Sequence, residues 1–174
     1  GGVLSPLHPA LLLPVTLARC DTAAIKGYSV TLRVSPELTV TGGAAAITEG
    51  PFLSSGGGTY FNAREDSAGV FTVDCVVLGP ACGSPLQAGT LFSLPLGTGA
   101  PGDTGRVTIT RLRLRDCDND SLPGLPGPPA ALRVDTAGPL VQVTFPNGGE
   151  FLPAGATRNL TWTATDPSGV GSVA

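Results

Sequence analysis

A nine-stranded antiparallel jelly-roll sandwich, all-β, with a partial second β unit after it, is the fold that three features of this sequence predict. Apolar and polar residues alternate with a period of two over several short segments. Gly (25) and Pro (17) are abundant and punctuate those segments, as turns between short strands require. No stretch sustains the 3.6-residue apolar period of a helix, so helix content should be near nil.

The elements follow in order. Residues 11–19 form a first strand, with Pro14 marking an edge or a strand start. In residues 26–34, Tyr28, Val30, Leu32 and Val34 share one face and Ser29, Thr31 and Arg33 the other, a half-buried strand. Ser35-Pro36-Glu37 turns the chain, and residues 38–47 carry a weaker strand interrupted by Gly42-Gly43. Residues 50–58 read as a loop with Phe52 and Leu53 tucked inward, 59–64 as a short strand and 66–69 as a turn. Residues 70–78 place Phe71, Val73, Cys75 and Val77 on one face, with Thr72, Asp74 and Val76 on the other. Residues 90–96 align Phe92, Leu94 and Leu96. In residues 106–115, Val107 and Ile109 have one parity and Leu112 and Leu114 the opposite one. An extra residue near Thr110–Arg111 restores a continuous apolar face, so a β-bulge is predicted there. Residues 131–135 close the domain.

These elements divide the 174 residues into a frayed segment 1–10, a sandwich 11–136, and a linker with a partial unit at 137–174. The chain opens Gly1-Gly2, has no Met and stops inside a repeat-like pattern, so both ends are expected to be cut. The segment after residue 139 is too short to bury a core alone, and Trp162 should be partly exposed.

Composition excludes several classes. The formal net charge of −3 gives no basic surplus for nucleic acid. No run of about 18 apolar residues exists to span a membrane. The single histidine, His8, lies in the frayed start, so nucleophilic triads lack a base. Glu65 and Asp66 are adjacent on a strand and point apart, unlike a glycosidase pair. A non-catalytic protein is expected.

Four cysteines, Cys20, Cys75, Cys82 and Cys117, with no histidine cluster, argue for two disulfides in an oxidising compartment, secreted or on the cell surface. Three pairings are open. Cys75–Cys82, a short staple, with Cys20–Cys117, a long closure, is the favoured one.

Ile25-Lys26-Gly27-Tyr28-Ser29-Val30-Thr31-Leu32 followed by Ser35-Pro36-Glu37-Leu38 resembles the second-strand region of cohesin domains. Gly50-Pro51-Phe52-Leu53, Phe61-Asn62, the segment from Gly69 to Cys75, Gly89-Thr90-Leu91-Phe92 and the segment from Val107 to Leu114 follow in the same order, so the resemblance spans residues 11–136. Phe145-Pro146-Asn147-Gly148-Gly149-Glu150 and Trp162 are similar to immunoglobulin-like repeats of bacterial surface and secreted proteins. The resemblance implies a module that binds the calcium-loaded dockerin of a partner in polysaccharide-degrading complexes, on a fold shared with certain cellulose-binding modules. It implies a recognised face from strands three, five, six and eight, here matched to residues 38–47, 59–64, 70–78 and 106–115.

Within that face Thr72, Asp74, Arg111 and Arg113 are the candidate binding residues for an acidic protein partner. The bland alternative is a solvated strand whose charges deter edge-to-edge aggregation. A carbohydrate-binding module and a structural spacer are the alternative functions. Sugar platforms need coplanar exposed rings, whereas Tyr28 and most Phe fall on core faces. No cofactor is required. Ca²⁺ is the one candidate ion, because Asp116, Asp118 and Asp120 alternate as carboxylates around a hard cation can. An EF-hand would have Gly and Glu where Ser121 and Gly127 stand, and an acidic turn pinned by Cys117 is the preferred reading.

Overall fold

The strands predicted from period-two alternation pair into two facing sheets in the computed structural model, which describes residues 2–171. The chain runs through β1 (Val3–Leu4), β2 (Ala10–Ala18), β3 (Gly27–Val34), β4 (Leu38–Val40), β5 (Thr48–Glu49), β6 (Thr59–Ser67), β7 (Val70–Val77) and β8 (Ala88–Thr98). It continues through β9 (Thr104–Arg115), β10 (Ser121–Leu122), β11 (Ala130–Val134), β12 (Leu140–Phe145) and β13 (Thr161–Thr165). One sheet has the order β1-β11-β9-β3-β7-β6, with β10 added to the end of β9, and the other β2-β8-β4, with β5 also on β8. Pro14 lies on β2, an edge strand of the second sheet, where its missing N–H costs no ladder bond on the open side.

The inward faces of both sheets make one core. Val30, Leu32 and Val73 from the first sheet meet Phe92, Leu94 and Leu96 from the second, all fully buried. Protein interiors of this kind pack like a solid rather than a fluid. The predicted bulge is present. Thr31 pairs with Arg111 and Leu32 with Ile109, so Thr110 is the extra residue and the β9 apolar face is continuous from Val107 to Leu114.

Four expectations are corrected. The segment 1–10 is not frayed throughout, because β1 pairs in parallel with β11 and Leu4 is fully buried. A one-turn helix, α1 (Pro51–Ser54), replaces part of the expected loop. Pro suits its first position, and the turn drives Phe52 and Leu53 into the core as anticipated. Residues 38–47 are not one strand, since β4 gives way at Gly42-Gly43 to a 3-10 turn before β5.

The fourth correction is the cysteine pairing. Neither Cys75–Cys82 nor Cys20–Cys117 forms; the disulfide is Cys82–Cys117, with Cα atoms 4.9 Å apart. Topology supplies the reason. β7 and β9 both run antiparallel to β3, so they run parallel to each other and end at the same end of the sheet. The loop after β7 and the turn after β9 therefore meet. Cys75 sits mid-strand with its side chain in the core, and Cys20 is exposed beyond β2.

Gly83 fastens the same loop. Ile25 and Ser84 exchange two backbone hydrogen bonds of 2.9 Å, and Gly83 has φ +88° beside them. A Cβ there would overlap the Ile25 carbonyl. Gly83→Ala should therefore lower stability by about 1–3 kcal/mol, read from the thermal unfolding midpoint.

Beyond residue 136, β12 and β13 form a separate two-stranded sheet. Trp162 is partly exposed and Leu140 and Phe151 strongly so, in keeping with a segment too short to enclose a core.

Candidate functional site

The outward face of β9-β3-β7-β6 is where the polar residues of four adjacent strands line up. With Tyr28, Val30, Leu32 and Val34 committed inward, alternation sends Gly27, Ser29, Thr31 and Arg33 outward. Register then builds rows across the strands. Asn62, Asp74, Ser29 and Arg113 form one row, and Arg64, Thr72, Thr31 and Arg111 the next. The four residues singled out from the sequence thus come together in two neighbouring rows.

Their states differ. Arg111 and Arg113 are exposed, whereas Thr72 is buried. The Thr72 hydroxyl donates to Asp66 Oδ2 at 2.6 Å and lies 3.1 Å from Thr31 Oγ1. Arg64 donates from Nε to Asp66 Oδ1 at 2.9 Å and from Nη1 to Asp74 Oδ2 at 2.6 Å. Thr72 and Asp74 are therefore members of an internal strap centred on Arg64. Sequence reasoning missed Arg64 and Tyr60. Their signal was the alternation Tyr60, Asn62, Arg64 on β6, opposite Val76, Asp74 and Thr72.

The strap perturbs Asp66. The hydrogen bond from Thr72, then that from Arg64, holds its carboxyl below the usual Asp range. A depressed folded-state pKa contributes stability above the unfolded value, and that contribution is lost as pH falls through the folded one. Thr72→Val should move the Asp66 midpoint upward in a carboxyl-carbon NMR titration. An unchanged midpoint would count against Thr72 as the main cause.

Six of the ten basic residues, Arg33, Arg64, Arg106, Arg111, Arg113 and Arg115, point outward from this sheet. A chain of formal charge −3 thus carries one strongly basic face. Among the described residues only Arg64 of these six makes an ion pair.

At the disulfide end the face deepens into a groove of about 490 Å³. Gly27 lies on its floor between Val76 and Arg115, its partners in the two ladders. Tyr60 and Arg113 also line it. The turn after β9 makes part of the rim. Asp116 Oδ1 accepts the backbone N–H groups of Asp118 at 3.0 Å and Asp120 at 2.8 Å. Asp116, Asp118 and Asp120 do not converge; among the described residues no group of three potential metal ligands is gathered.

The strand matched to position three of the recognised face is corrected. Residues 38–40 pair with β8 in the opposite sheet, and the strand that joins β9, β7 and β6 is β3.

No protein-family model matches this sequence, and no curated protein does. Solved structures do. A non-cellulosomal cohesin from Archaeoglobus fulgidus is 15% identical with a TM-score of 0.57, covering 78% of this chain and 87% of its own. The sixth cohesin of Acetivibrio cellulolyticus scaffoldin B, solved with a Cel5 dockerin, gives 15% identity and a TM-score of 0.59 over 78% and 95%. The Coh-OlpC module of Clostridium thermocellum, solved with Doc435, gives 9% and 0.59 over 78% and 90%. The fold is that of cohesin modules. At these identities the likeness concerns the cohesin fold and leaves the ligand to the site itself. Among the described residues no helix is long and apolar enough to cross a membrane.

Proposed function

We propose that this chain is a non-catalytic, extracellular protein-binding module that presents the β9-β3-β7-β6 face to a dockerin-type partner. The observation that carries the reading is the face itself. It is a broad sheet surface whose outward side chains are mostly polar and charged, with an internal strap holding Arg64, Asp66, Thr72 and Asp74 in place. Such preorganisation lowers the ordering cost of association. Structures of similar fold were solved with dockerins bound, which supports a protein ligand. The Cys82–Cys117 disulfide supports an oxidising, extracellular setting. Residues 137–171 are read as the first hairpin of an immunoglobulin-like repeat.

A carbohydrate platform is less well supported, because within residues 2–136 Tyr60 is the only aromatic ring with substantial exposure. Stacking on sugars uses several such rings side by side.

The test uses the full chain as bait against the secreted proteins of its source, with and without calcium. Capture of a dockerin-bearing protein, lost on chelation, is expected. Ser29→Trp, which raises an obstacle in the middle of the face, should abolish it. Undiminished capture by Ser29→Trp would rule this face out, and capture of polysaccharide alone would replace the reading.

A further inference from the structure

Resting on the protein-binding reading above, we propose that the groove over Gly27 receives a glutamate side chain of the partner protein, its carboxylate held by Arg113 and Arg115. Charge is the first ground. Of the carboxylates at this face, Asp66 and Asp74 are both taken up by Arg64, and Asp116 at the groove rim accepts the backbone N–H groups of Asp118 and Asp120. Arg111, Arg113 and Arg115 alternate along β9, exposed, with no carboxylate partner among the described residues. Three like charges on one side of one strand repel each other, and an arriving anion relieves that repulsion.

Edge protection accounts for only part of this stripe. Charges that deter aggregation belong on edge strands. β3 pairs along one side of β9, while on the other β11 covers Thr104–Val107 and β10 covers Leu114 and Arg115, so Arg111 and Arg113 flank an open stretch but Arg115 is paired on both sides.

Shape is the second ground. Gly weakens a strand interior and marks close approach of another group. Gly27 is the first residue of β3, paired on both sides with Val76 and Arg115, and a Cβ there would stand 3.2 Å from the Cys75 carbonyl oxygen. Its missing side chain leaves the depression open. Val76 and Tyr60, 38% and 59% exposed, offer apolar surface for the methylene stem of a glutamate. Arg115 donates to the Asn119 carbonyl at 2.9 Å, which anchors its guanidinium at the rim. The Ser29 hydroxyl lines the groove beside Arg113. A stem-length apolar wall ending in two guanidinium forks matches glutamate, because Arg recognises carboxylate in a bidentate way. One groove with one exposed ring does not match a polymer of uronic acids, which would need the pattern repeated.

The experiment titrates the nitrogen-15-labelled full chain with poly-L-glutamate at low and high salt, and with polygalacturonate in parallel. Poly-L-glutamate should shift the amides of Gly27, Ser29, Tyr60 and Val76, with affinity falling as salt rises. R113E/R115E should weaken it by roughly tenfold or more, R113Q/R115Q by less, and R106E, on the same face but remote from the groove, hardly at all. Amide dispersion in the same spectra shows that each variant is folded. The proposal falls if poly-L-glutamate produces no shifts at low salt. It also falls if the double variants bind unchanged, or if polygalacturonate occupies the groove as tightly. A dockerin-bearing partner lost by Ser29→Trp but kept by R113E/R115E would overturn the glutamate site alone and leave the protein-binding face standing.

Discussion

Replacing Cys82 and Cys117 together by alanine should cost the sandwich about 4 kcal/mol in denaturant unfolding, whereas Cys20→Ser should change stability by less than about 0.5 kcal/mol. The disulfide closes a separation of 35 residues. In the loop-entropy description that closure removes freedom mainly from the unfolded chain. Cys20 is exposed and joined to nothing, so its thiol contributes little either way. Cys75 behaves differently again. It is buried, its Sγ lies 3.5 Å from Glu49 Oε1, and burial followed by the Glu49 charge pushes the thiol up to about 12. A neutral, enclosed thiol is a poor nucleophile. Alkylation of the native protein should therefore label Cys20 alone, and alkylation in denaturant without reductant should label Cys20 and Cys75. A cross-linked peptide containing Cys75 or Cys20 would refute this connectivity. The double alanine variant should also weaken partner binding, because the bridge joins two segments at the disulfide end of the face.

The pattern of what could and could not be read from the residues has a physical basis. Alternation reports which side of a strand is buried. It therefore placed Thr72, Asp74, Arg111 and Arg113 on outward faces, and antiparallel register brought them into two rows. The parity change between Ile109 and Leu112 was similarly legible, since only an added residue at Thr110 keeps Leu112 and Leu114 facing the core. Alternation does not report which sheet a strand joins. Leu38 and Val40 are buried with the period expected, yet β4 belongs to the sheet opposite the candidate face. The pairing of Cys82 with Cys117 depends on β7 and β9 ending together. That is a property of strand order, and spacing along the chain does not contain it. Thr72 shows the remaining gap. Its outward direction was correct, but the cover provided by Asp66 and Arg64 from β6 is a tertiary effect that no single strand reveals.

Phe92→Ala should destabilise the protein by about 3–5 kcal/mol, and Tyr28→Phe by about 1–2 kcal/mol. The two residues join the sheets at one place by different means. Phe92 on β8 is fully buried, and its ring centroid lies 6.3 Å from that of Tyr28 on β3. The Tyr28 hydroxyl crosses the interior to donate to the Leu91 carbonyl at 2.8 Å. Deleting the Phe92 ring loses transfer energy and leaves a cavity that the surrounding strands fill only in part. Deleting the Tyr28 hydroxyl leaves one buried carbonyl without that partner and keeps the packing, so the smaller cost follows. The ordering has a consequence for binding. Tyr28 is the chain neighbour of Gly27 and Ser29, which lie on the outward side of the same strand. Loosening Tyr28 by Phe92→Ala should let β3 shift beneath the groove and weaken partner capture under conditions where the variant is still folded. Tyr28→Phe should leave capture intact. Should Tyr28→Phe prove the costlier change in urea unfolding, the sheets would be fastened chiefly by the hydrogen bond, and the rigidity of the outward face would need a different source.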